Sequence, residues 1–282
     1  MRWGALGRSL NLSVLRRHDE SEAALIAGNK AKARGRAVLV TGASRGIGAA
    51  VARAFAATGD RVALHYRSGR AAAEETLASL PGERHVMLAA DLTDADEVRR
   101  MVDQAARALE GLDVLVNNAG VYPKNQITTS SYEQWQRIWH TTLEVNLVGA
   151  ANVTWCAVRH MLARSGGRVV NVSSRGAFRG EPNHLAYGAS KAALNAFGQS
   201  LARALAPHGI AVTTVAPGYV DTDMAAAVLA GPDGDEIRAQ SPFSRVATPE
   251  EVASAVLFLA SPEAEFASGT ILDLNGASYL RT

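Results

Sequence analysis

The sequence predicts an α/β domain: a doubly wound, seven-stranded parallel sheet with helices on both faces. Three observations carry that reading. Short β-branched apolar runs alternate with longer Ala-rich stretches of helical period over residues 36–282, the order that right-handed strand–helix–strand units impose. The short runs are apolar almost throughout, as strands buried on both faces must be. A glycine-rich segment directly follows the first run.

The strands are read in order from RAVLVT (36–41), RVALHY (61–66), RHVMLAA (84–90), LDVLVNN (112–118), RVVNVS (168–173), IAVTTVA (210–216) and TILDL (270–274). Helical periodicity falls near 46–58, 71–79, 94–110, 131–164, 186–207 and 249–260. No repeat or low-complexity linker divides this span, so residues 36–282 read as one domain.

Residues 1–35 read as a basic extension. Residues 1–36 hold eight Lys/Arg against three Asp/Glu, about +5, whereas the whole chain carries only +2. The extension reads as a poorly ordered cytoplasmic tail, with an organelle transit peptide as the alternative. The small net charge gives no argument for nucleic acid binding. No run of 18 apolar residues suggests a membrane span. The single cysteine, Cys156, excludes an internal disulfide and a cysteine-rich metal site; no metal is expected.

TGASRGIG (41–48) lies between the first strand and the first helix, where a Rossmann-type fold binds a dinucleotide. Glycines let the backbone turn sharply and approach a pyrophosphate. The N–H groups and dipole of the helix start attract phosphate. The glycines stand at Gly42, Gly46 and Gly48, wider than G-x-G-x-x-G.

A second segment, LAYGASKAALNAF (185–197), places Tyr187 and Lys191 four apart, on one helix face. Ser173 and Ser174 end the fifth strand, and strand carboxyl ends are where doubly wound proteins hold their chemistry. A free tyrosine is a poor acid at neutral pH, and a lysine ammonium one turn away is expected to lower its pKa. Tyr187 is then placed to protonate a carbonyl oxygen while a nicotinamide delivers hydride to carbon.

With these motifs in this order, residues 36–282 resemble the short-chain dehydrogenase/reductase family, in its single-domain 3-oxoacyl-ACP reductase-like subgroup. TGASRGIG is similar to the family's T-G-x-x-x-G-x-G, so Gly42, Ser44, Arg45, Gly46, Ile47 and Gly48 are expected at the cofactor. Asp91, beside Leu92, matches the acid that contacts adenine. NNAG (117–120) matches the fourth-strand motif. Asn117 and Asn118 are expected to tie strands together, with Asn117, Asn118, Ala119 and Gly120 candidates for the cofactor border. APGYVDTDM resembles the family's Pro-Gly segment, which implies Pro217 and Gly218 at the cofactor and Val220 and Thr222 against the nicotinamide carboxamide. The resemblance implies Tyr187 as acid–base and Lys191 as its partner and ribose ligand. It implies Ser174 as the substrate-oxygen ligand, with Ser173 second. Asn146 is expected to hold a relay water, or else to be a buried polar group satisfied by backbone.

Two departures stand out. Asn275 replaces a glycine usual in relatives, which implies a turn tolerant of asparagine. The span from Trp135 to Asn146 is about one helical turn longer than usual, which keeps the helix face nearly in register.

The resulting expectation is an NADPH-dependent enzyme reducing a ketone or oxidising a secondary alcohol; the alternative is an NAD-linked alcohol or steroid dehydrogenase, with NADH as cofactor. NADPH is favoured because RVALHYRSGR has no acid to accept the ribose hydroxyls. Tyr66, Arg67 and Ser68 end that strand, and Arg67 with Arg45 would attract a 2′-phosphate. A non-catalytic dinucleotide-binding protein is the reading from another class. An extended-branch epimerase needs a larger substrate domain than the roughly 65 residues after Ala216. The substrate pocket is expected from Tyr122, Arg175, Phe178, Arg179, His184 and the segment 224–245, with a partly apolar ligand. A homotetramer, or else a homodimer, is expected.

Overall fold

The structure, a computed structural model, describes residues 35–164 and 166–281. The basic extension expected over residues 1–35 lies outside them, Gly35 excepted.

Seven parallel strands form one sheet in the order β3-β2-β1-β4-β5-β6-β7. They are β1 (Ala37–Val40), β2 (Arg61–Tyr66), β3 (Val86–Ala89), β4 (Val114–Asn117), β5 (Gly167–Val172), β6 (Ile210–Pro217) and β7 (Ile271–Leu274). Alternation within β1 builds two cores. Val38 and Val40 pack with Phe55 of α1 (Gly46–Ala57) and with Val252 and Val256 of α10 (Pro249–Leu259). Ala37 and Leu39 face the other way, onto Val98 and Met101 of α3 (Ala95–Ala108) and Val153 and Met161 of α5 (Ala150–Leu162). This is the two-faced burial that the continuous apolar runs predicted.

Helix starts follow local chemistry. The Asp94 side chain accepts from the Asp96 and Glu97 N–H groups at the start of α3. Thr248 and Glu251 form a reciprocal capping box at α10, with Pro249 at its first turn.

The helix expected over 131–164 is not continuous α-helix. It runs as α4 (Tyr132–Leu143), a π-helical segment (Glu144–Gly149) and α5. A Cβ on Gly149 would stand 2.8 Å from the Leu92 carbonyl oxygen, so glycine lets the widened turn pass close to the β3–α3 loop. Five further α-helices among the described residues are α2 (Arg70–Ala78), α6 (Gly176–Arg179), α7 (Leu185–Leu205), α8 (Asp223–Leu229) and α9 (Gly234–Ala239). The turn at Asn275 holds asparagine without strain. Its Nδ2 donates to the Tyr279 carbonyl, and positive φ falls instead on Gly276 and Ala277.

The order reverses between β1 and β4, so the loops after these strands diverge and leave a crevice at their carboxyl ends.

Candidate active site

The crevice is a cleft of about 560 Å³. Its floor is the glycine loop between β1 and α1. The Thr41 hydroxyl accepts from the Asn118 and Ala119 N–H groups at 3.0 and 3.1 Å, tying the loop to the end of β4. Gly42 has φ +63°, and a Cβ there would stand 2.8 Å from Ala119 Cα. A Cβ on Gly48 would run into the Gly42 carbonyl and stand 2.9 Å from Ala43 Cα. Thr222 faces Gly46 from the opposite wall. No side chain caps the start of α1, and its first turn holds no acid. Its N–H groups and dipole therefore suit an anion.

At the end of β2, Tyr66 is buried, while Arg67, Ser68 and Gly69 are exposed along the cleft. Asp91 is held below the usual carboxylate range, first by the Thr93 N–H at 2.9 Å, then by the Thr93 hydroxyl and the Arg67 charge, against a smaller desolvation cost. Arg45 also lines the cleft, its exposed guanidinium 3.7 Å from Asp223 at the start of α8.

Ser174, Tyr187 and Lys191 meet at the deep end. Ser174 follows β5, and Tyr187 and Lys191 are one turn apart on α7. Burial pushes the Tyr187 phenol up to about 12, partly offset by a hydrogen bond with Ser174. Burial pushes the Lys191 amine down to about 8. Its Nζ donates to the Val172 carbonyl at 2.8 Å and stands 5.7 Å from the Tyr187 ring centroid. The expected lowering of the tyrosine by lysine is thus corrected for the free protein: desolvation of the phenol dominates. Ser173 faces the same cleft, but its hydroxyl donates to the Lys191 carbonyl at 3.3 Å.

Asn146 is fully buried and does not line the cleft. Its Oδ1 accepts from the Val121 N–H at 2.8 Å, and its Nδ2 donates to the Val121 carbonyl and the Ser190 hydroxyl. These bonds are those of the buried, backbone-bonded role, and the one to Ser190 fastens the residue before Lys191. Asn117 is likewise a tie, donating to Thr154 and Asn171. Asn118, Ala119 and Gly120 line the cleft and Asn117 does not. The remaining expected cofactor positions, including Ile47, Leu92, Pro217, Gly218 and Val220, all border it.

The substrate side is only partly as expected. Tyr122 and Arg175 line the cleft, as do Met224, Ala225 and Val228 of α8. His184 lies behind, stacked on Tyr122 with centroids 3.6 Å apart. Phe178 and Arg179 are outside the lining: Arg281 covers the Phe178 ring, and Arg179 donates to Gln240. Sequence reasoning missed Glu181 and Tyr219, which both line the cleft. Glu181 sits in a loop with no periodicity; its place between Ser174 and Tyr187 was the available signal.

Fold and cleft together define an α/β protein with its chemistry at the topological switch point. Residues 42–276 match the family model described as enoyl-(acyl carrier protein) reductase. The 3-oxoacyl-[acyl-carrier-protein] reductase FabG of Aquifex aeolicus (strain VF5) is 36% identical over 88% of this chain and 99% of its own. Nodulation protein G of Rhizobium sp. (strain N33) is 40% identical over 86% of this chain and 96% of its own. A short chain dehydrogenase from Burkholderia cenocepacia J2315, crystallised in complex with NADP, superposes with a TM-score of 0.78 at 36% identity, covering 87% of this chain and 98% of that one. The chain belongs to the short-chain dehydrogenase/reductase family, in its 3-oxoacyl-ACP reductase-like subgroup, and is an oxidoreductase of that family.

Proposed function

We propose that the protein uses NADPH to reduce a ketone to a secondary alcohol, or runs the reverse oxidation. The observation that carries this reading is the meeting of Ser174, Tyr187 and Lys191 in the cleft floored by the glycine loop. The uncapped, acid-free start of α1 fits a pyrophosphate, and Gly42 and Gly48 let the loop before it pack tightly on Ala119 and Ala43. Arg67 and Ser68 suit a 2′-phosphate, and no acid between Arg61 and Arg70 opposes one. The NADP of the Burkholderia cenocepacia relative supports the choice. Bound there, the nicotinamide supplies the hydride.

The chain supplies the proton. Ser174 holds the substrate oxygen beside the Tyr187 hydroxyl. With its phenol pushed up to about 12, Tyr187 is fully protonated at neutral pH and ready to donate. The Lys191 ammonium, close to the ring, then stabilises the phenolate left behind. Asn146 keeps Ser190, and so the adjoining Lys191, in place. A panel of ketones assayed with NADPH and NADH tests the reading; no turnover with any of them would refute it.

We also propose a homotetramer, or else a homodimer. Trp155 of α5 is 66% exposed and suits a subunit contact. Light scattering showing a monomer at micromolar concentration would overturn this. No helix among the described residues is long and apolar enough to cross a membrane. Among them no group of three or more His, Cys, Asp or Glu side chains is arranged to hold a metal ion. A cytoplasmic location is part of the same proposal.

A further inference from the structure

We infer that Glu181 sets substrate choice, selecting ketones that carry a hydroxyl beside the carbonyl. This rests on the oxidoreductase reading above and narrows its substrate class. Glu181 lines the same cleft as Tyr187. Its Oε2 accepts from the Tyr122 hydroxyl, and the Tyr122 ring stands edge-on to Tyr187 with centroids 4.5 Å apart. Gly176 leaves space for the carboxylate: a Cβ there would stand 2.8 Å from Glu181 Oε1.

The carboxylate is poorly satisfied. Among the described residues only Tyr122 donates to it, at 3.4 Å, which is long for an O–H···O bond. The nearby guanidinium groups act on it through charge and make no hydrogen bond to it. Arg175 donates to Gln240 and Ser278, and Arg179 donates to Gln240. Burial pushes the Glu181 carboxyl up, while the Arg179 and Arg175 charges and the Tyr122 hydrogen bond favour its ionised form, which has about four acceptor sites. Closing a plain alkyl ketone over it would bury those acceptors unpaired, which is costly. A ketone with a hydroxyl on that side supplies the missing donor. Sites built around such a hydrogen bond discriminate strongly against the analogue that lacks it. Val121, Met224 and Val228 also line the cleft and take the rest of the substrate as an apolar arm.

The experiment measures kcat/KM with NADPH for matched ketone pairs that differ only in a hydroxyl one or two carbons from the carbonyl. The enzymes are the wild type, Glu181→Gln and Glu181→Leu. The wild type is expected to favour the hydroxy member by about a hundredfold. Glu181→Leu is expected to bring the ratio below about tenfold, chiefly through KM, with Glu181→Gln between the two. A wild type that treats both members of every pair alike overturns the assignment, as does a preference that survives in both variants. Reduction of the plain ketones alone would overturn the role of Glu181 and leave the oxidoreductase reading standing. No turnover of any pair would overturn both.

Discussion

His65 Nδ1 accepts a hydrogen bond from the Gly42 N–H at 3.1 Å, so the end of β2 holds the first glycine of the loop after β1. The other ring nitrogen, 3.1 Å from the Ala90 carbonyl, then carries the proton, and the imidazole is neutral. Burial lowers its pKa. Below the unfolded value of about 6.5, the unfolded chain therefore binds a proton that the folded chain refuses, and stability falls as pH falls. Replacing His65 with Leu is expected to flatten melting temperature against pH between about 5 and 7. It also orphans the Gly42 N–H, which is expected to weaken NADPH binding about tenfold in a fluorescence titration. Unchanged affinity would mean that the loop keeps its shape without the histidine.

Tyr187→Phe removes the proton donor and keeps the ring that packs on Tyr122. Turnover is expected to drop by about 10²–10⁴-fold, with NADPH affinity nearly unchanged. Steady-state kinetics showing less than about a tenfold loss would exclude Tyr187 as the acid.

Lys191 links activity and stability to pH with opposite signs. Its pKa is pushed down to about 8, so the ammonium is lost as pH rises through that value. Reductive kcat/KM is expected to fall above pH 8 for the wild type. In Lys191→Arg, whose guanidinium stays charged, that fall should move to higher pH. Stability runs the other way. Between about 8 and the ordinary 10.5 the unfolded state holds more protons, so this group's contribution to stability rises with pH. A pH–rate profile with the same alkaline limb in both proteins would remove Lys191 from that role.

Arg67→Asp is expected to reverse cofactor preference. A charge-assisted contact contributes roughly 1.5–3 kcal/mol, so its loss and replacement by repulsion should shift the NADPH/NADH ratio of kcat/KM by more than about tenfold. Arg45, paired with Asp223, is expected to shift the ratio less when replaced by alanine. Equal ratios in wild type and Arg67→Asp would clear Arg67 of the part.

The sequence by itself determined the sheet, because its evidence is local. Short β-branched apolar runs such as AVLV and VLVN, bounded by turn residues, fit central strands buried on both faces, and the glycines of TGASRGIG are needed where backbone meets backbone. The spacing of Tyr187 and Lys191 is likewise helical arithmetic. What only the tertiary structure decided depends on neighbours distant in sequence. The π-helical segment around Asn146 meets Val121 and Leu92, which come from other loops. Asn117 and Asn118 are adjacent and identical, yet strand alternation sends one into the sheet's polar layer and the other under the glycine loop. Burial, which no local pattern reports, moved Tyr187 up and Lys191 down. It also set the Glu181 carboxylate against the cleft wall, where the fold alone brings it beside Tyr122.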